Sequence, residues 1–117
     1  MGSKNATIAD LGGGTGFFSS LAKQKFPSWD IDVIDFRIYP QKKLNEFGIN
    51  TIESDLSSFT LKENHYDMIT LWEVIEHLRI EDIELQLKRI YNGLKSNGFL
   101  IISTPNFNSP LTQALDF

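Results

Sequence analysis

Asp10-Leu11-Gly12-Gly13-Gly14-Thr15-Gly16 places four glycines within five positions and an acid two residues ahead of the first. Glycine has no Cβ, so such a loop lets backbone approach a bound group closely. The spacing restricts what that group is. A dinucleotide fingerprint, Gly-x-Gly-x-x-Gly, counted from Gly12 and Gly14 puts Phe17 at its third glycine, and the Gly-Lys-Ser/Thr ending of a Walker A loop is absent. What is left is Asp10-x-Gly12-x-Gly14-x-Gly16. Farther along, Asp35 closes an apolar run, with Asp32 a weaker candidate beside it, and Asp55 follows the third predicted strand. Glu73, Glu76 and His77 have spacing i, i+3 and i+4, which is one face if a helix begins near Glu73. Three readings of that trio stay open. His77 could serve as a general base, since imidazole titrates near neutrality, or the three could hold a divalent cation that orients a substrate oxygen. Alternatively the glutamates favour the dipole of a first helical turn while the histidine caps or packs. His65, in a polar loop beside Asn64, reads as a surface residue.

Those residues have to be positioned by elements that the apolar pattern predicts. Ile8, Ala9 and Leu11 form a short strand into the glycine loop, and Phe18, Leu21, Ala22 and Phe26 then recur at helical spacing until Pro27. Ile31, Val33 and Ile34 make a second strand ending at Asp35. A short helix with Leu44 and Phe47 on one face stops at Gly48. A third strand covers about Asn50 to Ser54, and Met68 to Leu71 is the fourth. Ile83, Leu87, Ile90 and Leu94 give a helical stripe ending near Asn97-Gly98, and Phe99 to Ile102 is the fifth strand. Strands alternating with amphipathic helices predict an α/β fold with a mostly parallel sheet covered on both faces. Ligands of such sheets sit beyond the carboxyl ends of the strands, where strand order reverses.

The glycine segment closely resembles motif I of the class I S-adenosylmethionine-dependent methyltransferases, and the later positions agree with that family in order. Leu71-Trp72-Glu73-Val74-Ile75-Glu76-His77-Leu78 and Ile102-Ser103-Thr104-Pro105-Asn106 are similar to the group that includes the ubiquinone-biosynthesis O-methyltransferases. The resemblance covers about residues 6 to 108. It implies a Rossmann-like sheet of order 3-2-1-4-5, S-adenosylmethionine as cofactor and S-adenosylhomocysteine as product. In that picture Gly12, Gly14 and Gly16 admit the methionine portion and Asp10 anchors their loop. The carboxylate of Asp35 accepts from the ribose hydroxyls, and Phe36 packs on adenine. Asp55 and Leu56 meet the adenine edge, and the backbone carbonyl near Trp72 accepts from the methionine amino group. The Trp72 side chain alternatively walls the site. The methyl group then points toward the region after the fourth strand, where Glu73, Glu76 and His77 lie. The implied activity is methyl transfer to oxygen or nitrogen of a small molecule, lipid precursor or sugar. A cofactor-binding or regulatory module without turnover is the alternative, and a divalent metal is not expected.

The chain as a whole sets limits on these readings. Its 117 residues suit one domain, with 41% apolar and 22% charged residues, as in soluble globular proteins. Eleven Lys and Arg against fifteen Asp and Glu leave a formal charge of −4, which disfavours a nucleic-acid partner. No Cys is present, so disulfides and thiolate metal sites are excluded, and no run of eighteen apolar residues predicts a membrane span. A cytoplasmic location is the default expectation. Family members continue past the fifth strand with a helix and an antiparallel pair. Residues 107 to 117 leave no room for those, so the domain, residues 1–117, reads as C-terminally incomplete or as pairing its fifth-strand edge with a second copy.

Overall fold

The computed structural model describes residues 5–55, 57–72 and 80–103. The elements run β1 (Thr7–Leu11), α1 (Phe17–Lys25), β2 (Asp30–Asp35), α2 (Gln41–Glu46), β3 (Asn50–Glu53), β4 (Tyr66–Trp72), α3 (Ile80–Gly93) and β5 (Leu94–Ser103). Every strand pair is parallel and the sheet order is β3-β2-β1-β4-β5, the order expected. Parallel strands buried on both sides need apolar residues on both faces. Ile8, Ile31, Val33 and Met68 face one side, where Ala22 of α1 and Leu44 of α2 cover them. Ala9, Leu11, Ile34, Ile69 and Leu71 face the other, under Ile83 and Ile90 of α3. Helices therefore lie on both faces. The chain leaves β1 toward β2 and β3, then returns past β1 to β4, so strand order reverses between β1 and β4.

Several boundaries differ from those predicted. Leu94 and Asn97-Gly98 belong to β5, because α3 already ends at Gly93. The amides of Asn64 and His65 donate to the carbonyls of Asn92 and Gly93 at 2.9 and 3.0 Å, supplying the partners that a helix C-terminus lacks. Between the pairs Tyr66↔Leu94 and Met68↔Phe99 the β4–β5 register shifts, and Gly98 lies against the carbonyls of Tyr66 and Asp67 there. In α2 only Leu44 is buried, and Phe47 projects outward. Leu21 of α1 is likewise exposed, its place on the inner face being taken by Ser19 and Ala22. Gly48 closes α2 at φ 83°, as its position suggested. Among the described residues no helix is long and apolar enough to cross a membrane.

Candidate functional site

Asp10 is the last but one residue of β1 and is wholly buried. Its carboxyl accepts from the Ser19 hydroxyl at 2.8 Å and from the Thr70 hydroxyl at 2.7 Å. Thr70 sits directly opposite Asp10 in the β1–β4 register, and Ser19 lies on the inner face of α1. One side chain thus ties the end of β1, its neighbour strand and the helix that follows, fixing both ends of the glycine loop. Ser19 and Thr70 were not singled out from sequence. A serine in an apolar helical stripe and a threonine in an apolar strand are the available signal.

Within the loop, the amide of Gly12 donates to Ile34 O at 2.8 Å and that of Gly14 to Asp35 Oδ2 at 2.9 Å. A Cβ on Gly14 would collide with the Asp35 carboxylate and stand 2.6 Å from Arg37 O, so only glycine permits this approach. Gly16 takes φ 74°, the left-handed conformation, and its carbonyl accepts the Ser20 amide at the start of α1. A concavity of about 340 Å³ opens beside the loop, lined by Asp10, Gly12, Gly13, Thr15, Phe17 and Phe18. A concavity of similar size lies at the other end of the sheet, lined by Glu63, Asn64, Tyr91 and Lys95. Volume does not separate the two, so the assignment rests on the residue set and on the reversal of strand order.

Asp35, at the carboxyl end of β2, receives the Gly14 amide on Oδ2 and the Phe36 amide, at 2.7 Å, on Oδ1. A carboxylate offers about four acceptor positions, so two remain for outside donors. Phe36 follows, with 68% of its surface exposed, and the Arg37 guanidinium lies 6.0 Å from its ring centroid. Asp32 is turned elsewhere. Its Oδ1 accepts from Asn50 at 2.8 Å and its Oδ2 from the Tyr66 hydroxyl at 2.6 Å. Beyond β3, Asp55 Oδ1 accepts the Ser57 amide at 2.9 Å. That amide, followed by the Ser57 hydroxyl, holds the Asp55 carboxyl below the usual carboxylate range. The structure therefore brings Asp10, Gly12, Gly14, Gly16 and Asp35 together, with Phe36 beside them and Asp55 at the end of the next strand. Leu56, Glu73, Glu76 and His77 lie outside the described residues, as does the side chain of Trp72, whose backbone ends β4. Among the described residues no group of three His, Asp or Glu is placed to hold a metal ion. His65 is half-buried with its ring edge-on to Tyr66.

The profile of the methyltransferase domain family matches residues 2–116. The chain belongs to that family. Similar proteins include the malonyl-[acyl-carrier protein] O-methyltransferase of Priestia megaterium, 28% identical over 101 residues, covering 83% of this chain and 36% of the relative. Coclaurine N-methyltransferase superposes with a TM-score of 0.74 at 21% identity, over 86% of this chain and 31% of that one. Phosphoethanolamine N-methyltransferase 1 of Haemonchus contortus does so with a TM-score of 0.75 at 18% identity, over 86% and 22%. These likenesses establish a methyltransferase fold. The methyltransferase domain described here spans about a third of the length of the first of these relatives.

Proposed function

We propose that this methyltransferase domain binds S-adenosylmethionine and transfers its methyl group to an oxygen or nitrogen of a small-molecule, lipid-precursor or sugar acceptor. One observation supports the cofactor above the others. The Asp35 carboxylate is clamped by amides from the glycine loop and from Phe36 and keeps two acceptor positions, the number that two neighbouring ribose hydroxyls require. The glycine loop is drawn directly against that carboxylate, since a Cβ at Gly14 would collide with Asp35. Both structural neighbours named above were solved with S-adenosylhomocysteine.

When bound, the cofactor supplies a methyl group on a cationic sulfonium. Gly12, Gly14 and Gly16 would admit its methionine portion, held in place by Asp10 through Ser19 and Thr70. Asp35 would fix the ribose, Phe36 the adenine face, and Asp55 with Leu56 the adenine edge. The Trp72 carbonyl would accept from the amino group. His77 would face the acceptor as its base or positioning group. Orientation of this kind is a large part of what a group transfer needs. Kinship with the ubiquinone-biosynthesis O-methyltransferase group belongs to the same proposal and rests on the segments after the fourth and fifth strands.

Calorimetric titration with S-adenosylmethionine and with a nicotinamide dinucleotide tests the cofactor, followed by methyl-transfer assays over candidate acceptors. Saturable binding of the first compound alone is the expected result. Binding of the dinucleotide alone would overturn the reading, and cofactor binding without transfer to any acceptor would favour a module without turnover.

A further inference from the structure

Arg89 lies on α3, and none of the roles above uses it. Its Nη1 donates to Ser57 O at 3.0 Å and to Gln86 Oε1 at 3.3 Å, and its guanidinium stands 5.9 Å from the ring centroid of Phe59. Phe59 is anchored in the same core as Ile83 and Ile90 of α3. Gln86 is 2% exposed, and its Nε2 has no partner among the described residues. Turning that amide over would bring two donors against the guanidinium, so the pair fixes itself with Oε1 toward Arg89. The guanidinium is thereby confined to the direction of Ser57.

Ser57 is in turn the residue that organises Asp55. Its amide donates to Asp55 Oδ1 at 2.9 Å, and the next amide, that of Ser58, donates to Asp55 O at 3.0 Å. The Ser57–Ser58 peptide thus accepts from Arg89 through its carbonyl and donates to the Asp55 backbone carbonyl through its amide, while the Ser57 amide separately holds the Asp55 carboxylate. We propose that Arg89 is a positioning residue for the adenine end of the site, holding Ser57 so that the Asp55 carboxylate, which the Ser57 amide binds, is a fixed acceptor for the exocyclic amine. This rests on the reading of Asp55 given under Proposed function. A long side chain on the core side of the sheet thereby governs which nucleobase the exposed turn accepts.

The test compares affinities for S-adenosylhomocysteine and S-inosylhomocysteine, in which an oxygen replaces the exocyclic amine, by calorimetry. The wild-type chain should prefer the adenine compound, and Asp55→Ala should lose that preference. Arg89→Met should weaken S-adenosylhomocysteine binding by about tenfold, the worth of one charge-assisted hydrogen bond, with little change for the inosine compound. Arg89→Lys keeps the charge but cannot serve Ser57, Gln86 and the ring together, and should fall between them. A folded Arg89→Met that retains the wild-type preference, or loses both affinities equally, overturns the proposal while the Asp55→Ala result leaves the adenine reading intact. If circular dichroism shows Arg89→Met unfolded, a wild-type preference in Arg89→Lys overturns it instead. No preference in the wild-type chain removes the reading of Asp55, and the role of Arg89 with it.

Discussion

A carboxylate at a strand end is held most rigidly when amides reach it from two different segments, as the Gly14 and Phe36 amides reach Asp35. The Gly14 contact also makes the glycine irreplaceable, because the space a Cβ would take is filled by Asp35 and by the Arg37 carbonyl. Gly14→Ala should therefore push the loop and the carboxylate apart, and Asp35→Ala should remove the acceptors outright. Each is expected to weaken S-adenosylmethionine binding by about tenfold or more, with circular dichroism unchanged. Unaltered affinity in both folded variants would take Asp35 out of the site. Asp10, the glycines and Asp35 were legible in the sequence because acid and glycine spacing around strand ends is local information. Ser19 and Thr70 were not, since only the β1–β4 register and the seating of α1 bring them to Asp10.

The strands are tied across one another by more than backbone. Tyr66, at the start of β4, reaches past β1 to donate to Asp32 of β2 at 2.6 Å. Burial, then this hydrogen bond and the charge of Asp32, push the Tyr66 hydroxyl well above its ordinary value. A group raised in the folded state gives stability that is complete below its unfolded value, about pH 10, and is lost as pH rises beyond it. Tyr66→Phe should cost about 1 kcal/mol near neutrality. In urea unfolding at a series of pH values, the gap between wild type and variant should stay constant up to about pH 10 and narrow above. A gap that widens in alkali would refute this account. A parallel sheet covered on both faces was readable from the alternation of strands with helices, whereas the strand order came from the family resemblance. The α3–β5 boundary was readable from neither. Leu94 continues the stripe of Ile83, Leu87 and Ile90, and Asn97-Gly98 imitates a helix stop. The real stop comes from the amides of Asn64 and His65, remote in sequence.

At the scale of the whole sheet, its two faces are unequally covered at β5. Leu100 and Ile102 pack against the core beneath α3. Phe99 and Ile101, which point to the opposite face in register with Met68 and Thr70, stay 40% and 37% exposed. On that face Ala22 of α1 and Leu44 of α2 pack in the cluster that holds Ile31 and Val33 of β2, and among the described residues none of β5 belongs to it. β5 is also the terminal strand among the described residues, so its outer backbone groups and this strip lie side by side. Natural sheets pair or cover such edges, and a strand edge joined to its own copy is the simplest symmetric solution. We predict that the chain self-associates through β5, with sedimentation coefficients that rise with concentration. Phe99→Lys should hold it monomeric with little change in cofactor affinity, since Phe99 lies opposite Met68, which pairs with Ile8 at the end of the sheet away from the glycine loop. Charged side chains on an edge strand oppose pairing while leaving the buried face untouched. A wild-type chain that sediments as a monomer at every concentration would mean that the strip is covered from within the same molecule, and the association would have to be given up.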